Sequence, residues 1–248
     1  MDERSISTPP AEMPITSNAA HARGTTAAPI DDPRALAILT TEHWSLLSAR
    51  ALVYNEAFAR AGMFLAFLSA SLVALGLVAA GTGGFSDGFL TVAAAVLGLN
   101  LFVGLASLGR IAAASGEDLR YLHGMNRLRH AYHEMVPGLE PYFVSSHHDD
   151  LASVLSIYGP SASGSIGNAL HGMTTTPGMI SVICSAVAGA FGAVLALLFT
   201  HDAGAAVVAG VATAGAVFVA LTFVMVFKIR GNTRDMRAIF PRPDVSSG

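Results

Sequence analysis

The chain is poor in charge, nearly lacks cysteine, and carries no enzyme signature. Asp, Glu, Lys and Arg make up 12% of its 248 residues, about half of what soluble domains carry. Apolar types reach 52%. That composition leaves too little charge to cover a water-facing globule of this size, so it excludes an ordinary soluble domain. A single cysteine, Cys184, excludes an intramolecular disulfide framework. Set in an apolar run, that thiol is expected to be inert. A net charge of −3 gives nucleic acid nothing to bind. There is no HExxH, no paired ExxH, no GK[ST] loop and no GxSxG elbow. The glycine-rich run from Gly159 to Gly167 therefore reads as linker.

The charges that are present are unevenly placed. Two windows, Ala61 to Gly109 and Gly178 to Phe227, contain only Asp87 and Asp202. Each is too long for one membrane crossing and suits two, since a span takes roughly 20 apolar residues. Each also breaks midway, the first at Gly81 to Gly88 and the second at Thr200 to Gly204. The pattern predicts helices over Ala61–Ala80, Phe89–Leu108, Met179–Phe199 and Ala203–Phe227. Thr176 and Pro177 fit a cap and first-turn proline for the third.

The fold class expected is therefore an all-α membrane protein. Its four transmembrane helices form two hairpins, with a helical cytoplasmic stalk between and before them. The expected organisation is a disordered tail over 1–34, an amphipathic cytoplasmic helix over 35–60 and a transmembrane hairpin over 61–109. A cytoplasmic helical region over 110–177, a second hairpin over 178–227 and a basic tail over 228–248 follow. No signal peptide is visible in the proline-rich first 33 residues. All 14 Lys and Arg lie outside the two short turns, in the N-terminal, middle and C-terminal segments. The positive-inside rule then places both termini and the middle segment in the cytoplasm, the membrane being a cell (inner) membrane.

Helical patterning continues past the membrane. Trp44, Leu47, Ala51, Tyr54 and Phe58 make one apolar stripe; Leu39, Leu46, Val53 and Ala57 make a second, roughly opposite. Such a helix is expected to pack on two sides. Tyr121, Met125, Leu128, Tyr132 and Met135 line one face of the second extension, with His123, Arg127, His130 and Glu134 opposite. The extensions, about 38 Å each at 1.5 Å per residue, are expected to pair as one long antiparallel, coiled-coil-like stalk. Pro137-Gly138 ends the second. A further short helix is expected from Ser146, capped with Asp149, its apolar face covering the second stripe of the first extension. Residues Ser161 to Thr176 read as a flexible return to the membrane. In the tail, Ile229, Met236, Ile239 and Phe240 are expected to dip into lipid headgroups.

Two sets of residues are candidate sites. His130, Glu134, His147 and His148 offer imidazole and carboxylate ligands for zinc or iron. The bland alternative is a polar helix face and a helix first turn rich in acids. Gly98, Gly189, Gly192 and Gly210 fall in small-residue runs that let helices approach closely, and Asn100 is placed to hydrogen-bond across an interface. No span contains a charged residue, histidine or proline, which speaks against ion-coupled transport. The expectation is a non-enzymatic membrane protein, a self-associating scaffold, sensor or pore whose partners are the bilayer and copies of itself. No resident cofactor is required. The alternative is a membrane-anchored module that binds a metal ion, or acts through one, at the histidine cluster.

Overall fold

The computed structural model describes residues 30, 32–158, 172–234 and 236–243. The expected N-terminal tail before residue 30 and the expected linker from Gly159 to Gly167 lie outside the described residues. Of the flexible return expected over Ser161 to Thr176, residues 172–174 are helical and Thr176 already opens a long helix. Within them every regular element is helical. The helices are α1 (Ala35–Gly81), α2 (Asp87–Met135), α3 (Leu151–Leu155), α4 (Thr176–Thr200) and α5 (Ala203–Arg234), with single 3-10 turns at Glu140–Tyr142 and Ser156–Tyr158. Helices α1, α2, α4 and α5 are long and apolar enough to cross a membrane, each holding an 18-residue window of mean hydropathy between 2.2 and 2.4.

Chain punctuation explains where the long helices stop. Between α1 and α2, Gly83 and Gly84 take positive φ angles of 74° and 115°, which glycine adopts at little cost. The Ser86 hydroxyl then accepts from the Phe89 N–H and caps α2. Pro137-Gly138 follows the end of α2, as expected. The cap of α4 is Thr175, one residue earlier than the sequence suggests, with Pro177 in the first turn. Between α4 and α5 the chain reverses at His201, in the left-handed region at φ 50°. The two turns lie together: His201 Nδ1 is 3.8 Å from the Asp87 carboxylate.

Helix α1 runs antiparallel along the whole of α2. Phe64 faces Gly104, Glu56 pairs with Arg110, Arg50 pairs with Asp118, and Leu46 meets Gly124. Helix α4 packs on α2, and α5 on α4. Two apolar cores result. One gathers Ala61, Phe64, Leu108, Ile111, Ile180 and Cys184; the other gathers Leu75, Phe89, Leu90, Ala93, Leu97 and Val187. Glycine sets the spacing at Gly104, where an added Cβ would lie 2.8 Å from both the Phe64 ring and the Cys184 sulfur. At that point three helices touch.

Several local expectations are corrected. The second stripe of α1 meets α2, with Val53 buried and Leu46 half-buried; of the first stripe Tyr54 reaches Asp118 of α2, whereas Trp44 and Phe58 stay 64% and 58% exposed. The helix expected from Ser146 starts five residues later, capped by Asp150, whose carboxylate accepts from the Ser153 N–H. Its Val154 packs on Leu119 and Leu122 of α2, so the residue expected to cover the second stripe of α1 covers α2. Of the tail residues expected at lipid headgroups, Phe240 stacks on His130 instead, while Ile229 and Ile239 stay exposed. Met236 packs on that same small core, and residues 239–242 dock beside α3. Buried hydrogen-bond partners hold them there.

Candidate functional site

The far end of α2 gathers a dense set of polar side chains. Its polar face, expected to be solvated, is covered by the 146–150 segment and by the C-terminal strap. Three residues make the attachment. The Asn126 amide donates to the His148 carbonyl at 2.8 Å, and Arg129 donates to the Asn126 side-chain oxygen at 2.6 Å. The Arg127 guanidinium donates to Asp149 and to the Arg237 carbonyl, both at 2.8 Å.

Asp149 is the hub. Its carboxylate is 1% exposed and accepts from the backbone N–H groups of Ile239 and Phe240, at 2.9 and 2.8 Å. Its own N–H donates to the Phe240 carbonyl. Burial pushes the carboxyl up, but the Ile239 N–H, Arg127 and the Phe240 N–H outweigh it, and the group ionises below the usual carboxylate range. Asp150, beside it, takes the Arg242 N–H while the Arg242 guanidinium donates to Ser153. The tail is thereby strapped to the end of α2.

Over this strap sits a stack of imidazoles. His147 lies against His148 with ring centroids 4.0 Å apart, against His133 at 4.5 Å and against His130 at 5.7 Å. Burial first, then the neighbouring His148 and His133, keep His147 below the ordinary histidine range and so neutral. One ring nitrogen each from His130, His147 and His148 lies within 4.8 Å of the other two. Glu134 stands outside this trio; its carboxylate is 3.5 Å from His130 Nε2. Among the described residues, the buried side-chain atoms without a hydrogen-bond partner are Asn100 Oδ1, His130 Nδ1, His133 Nε2 and His148 Nδ1. Three of these four belong to the stack. An open cavity of about 370 Å³ adjoins it, lined by His133, Glu140, Ser146, His147, His148 and Arg242.

A second buried polar centre lies one third of the way back along the α1–α2 pair. Asp118 of α2, 3% exposed, accepts from Arg50 at 2.5 Å and from the Tyr54 hydroxyl at 2.9 Å. Tyr158, after α3, also donates to it. Burial and the Asp118 carboxylate both raise the Tyr158 phenol, so it stays a donor. Closer to the apolar region Arg110 bridges Glu56 and Glu117, and Glu56 also holds Arg60. The Glu56 carboxyl is drawn down to about 2 by hydrogen bonds from Arg110 and Arg60. These groups tie helices together.

The remaining candidates sit in the apolar part. Gly189, Gly192 and Gly210 line the α4–α5 contact: a Cβ on Gly189 would lie 2.9 Å from the Gly210 carbonyl, and one on Gly192 2.5 Å from the Thr213 hydroxyl. At Gly98 an added Cβ would meet the Phe191 ring at an ordinary 3.4 Å, so this position does not demand glycine. Asn100 is fully buried, and its amide donates to Val96 of its own helix at 2.9 Å, not to a neighbouring helix. Sequence reading misses the strap, Asn126 and Asp118. Asp118 had one available signal, an acid flanked by apolar positions on a helix whose partner carries Arg50.

Comparison with protein-family models, with curated proteins and with solved structures returns no match. Chemistry alone, read from these residues, carries the functional argument.

Proposed function

We propose that the chain is a four-span integral membrane protein whose α1–α2 and α4–α5 pairs are transmembrane hairpins. The outer parts of α1 and α2 form a cytoplasmic stalk, and the tip of that stalk is the working end. The supporting observation is segregation. Within the two apolar windows the contacts are made by Phe64, Gly104, Cys184, Val187 and Gly189. The buried acids Asp118 and Asp149, the histidine stack and the cavity all lie beyond them. An ionisable side chain in a span would mark an ion or proton path, and the spans have none.

Scaffold or sensor fits this arrangement better than pore. The small-residue faces of α4 and α5 are used up against each other within one chain, which leaves them no part in lining an oligomeric channel. Self-association then falls to the stalk, where Trp44, Leu47 and Phe58 present an exposed apolar stripe to a second copy. In this reading the protein is non-enzymatic, sits in a cell (inner) membrane and has both termini in the cytoplasm.

Cysteine labelling tests the topology. A cysteine at Gly83 should react with an impermeant maleimide added outside intact cells, and one at Val144 only after the membrane is opened. The reverse pattern would overturn the reading. The mass of the detergent-solubilised protein tests the stripe: a strict monomer would remove self-association.

A further inference from the structure

We infer that the stalk tip is a binding site for a late first-row divalent metal ion of the zinc type, held by His130, His147 and His148. The inference is independent of the membrane reading, since it rests on the stalk tip alone. Three observations converge. Three imidazoles from two separate parts of the chain, α2 and the 146–150 segment, bring ring nitrogens within 4.8 Å of one another. Nδ1 of His130 and Nδ1 of His148 are buried with no hydrogen-bond partner, although a buried polar atom left unpaired costs free energy. Glu134 stands 3.5 Å from the opposite nitrogen of His130, Nε2. Closing that gap to hydrogen-bond distance would place the hydrogen on Nε2 and leave on Nδ1 the lone pair that a metal needs.

The chemistry of the set selects the ion. Neutral imidazole suits zinc, copper and nickel, whereas calcium and magnesium require oxygen ligands that the trio does not offer. Zinc–nitrogen bonds are about 2.0–2.1 Å long, so ligating nitrogens sit about 3.3 Å apart. The trio must therefore close by at most about 1.5 Å. His147 and His148 are on a non-helical segment, where ring rotation supplies that movement. Both also line the cavity, so a fourth position facing it stays open to water.

The strap makes the site a candidate switch. His148 precedes Asp149, which holds Ile239 and Phe240, and Phe240 stacks on His130. A metal that draws His130 and His148 together tightens the two ends of this clamp at once.

The test uses the full-length, tag-free protein in detergent, titrated with Zn²⁺ and with Co²⁺. The expected result is one Co²⁺ per chain, with a visible absorption band that Zn²⁺ displaces. Glu134→Gln should weaken binding about 10- to 100-fold as a positioning change. His147→Ala should abolish the stoichiometric site, and His201→Ala, at the far end, should leave it intact. Circular dichroism of each variant establishes that it has folded. Zn²⁺ should also slow exchange of the Ile239 and Phe240 amides. Absence of stoichiometric binding in the folded protein, or binding unchanged in a folded His130→Ala, His147→Ala double variant, would overturn the assignment. Binding with unchanged amide exchange would keep the site and remove the switch.

Discussion

The ring of Phe240 lies flat over the ring of His130, their centroids 4.0 Å apart and their planes 19° from parallel. One residue comes from the strap after the last helix, the other from the far end of α2. The contact joins the chain's C-terminal region to its histidine cluster. What holds Phe240 there is the backbone clamp on Asp149, and that clamp should respond to pH and to mutation.

Because the folded Asp149 carboxyl ionises below its ordinary range, the clamp is fully formed above the ordinary carboxylate pKa of about 3.9. It should be lost as pH falls through the lower, folded value. Hydrogen exchange at the Ile239 and Phe240 amides should stay slow from neutral pH to about 5 and accelerate in stronger acid beyond the intrinsic trend. Asp149→Asn should release the strap already at neutral pH. It removes the charge that the half-exposed Arg127 faces and weakens two charge-assisted backbone bonds, a change costing on the order of 1–3 kcal/mol. Strong protection in that variant would refute the clamp.

The Asp118 centre predicts non-additive effects. Tyr54→Phe and Tyr158→Phe each remove one donor and should cost about 1 kcal/mol. Asp118→Ala strands Arg50 and both hydroxyls and should cost several times more, on the order of 3–5 kcal/mol. Denaturation of the two single variants and the double variant in detergent measures the coupling. Fully additive costs would mean that the two tyrosines do not share a site.

Close packing of α4 on α5 predicts a contrast among glycines. At Gly189 a methyl group would meet the Gly210 carbonyl and the Ala214 Cβ. Gly189→Ala should therefore destabilise by about 1–3 kcal/mol. At Gly76 nothing lies within 4 Å, and Gly76→Ala should be neutral or slightly stabilising. Thermal unfolding of both in one detergent decides the matter; equal effects would contradict the packing.

Much of the helical layout was legible in the sequence because it depends on two coarse signals, charge-free length and chain breakers. Gly83, Gly84 and Pro137 fall where the helices stop, and the four apolar helices follow from runs without charge. The tip was less legible. The 3.6-residue pattern assigns His130 and Arg127 to a polar face, and a polar face is usually read as solvated. Here it is partly covered by Asp149 and by a strap some 110 positions later, as in the Arg127–Arg237 contact. Pairings that distant leave no periodicity to read. The stripe of Trp44 and Phe58 shows the converse: its period was clear, but the face that α1 presents to α2 depends on the partner's shape.

Asn100 supplies a test of what happens in the apolar region. Its Oδ1 is buried and unpartnered, so Asn100→Leu should cost nothing or stabilise by up to about 2 kcal/mol. Unfolding of the variant in detergent checks this. A clear loss of stability would reveal a second partner for the amide.

X-ray absorption at the zinc edge, on tag-free protein loaded with one equivalent of Zn²⁺, tests the central claim most directly. The account predicts three imidazole nitrogens at about 2.0–2.1 Å plus one light atom from water. The imidazole scattering should diminish by one ring in His147→Ala. A shell of oxygens alone, or a spectrum that the variant leaves unchanged, would contradict the account.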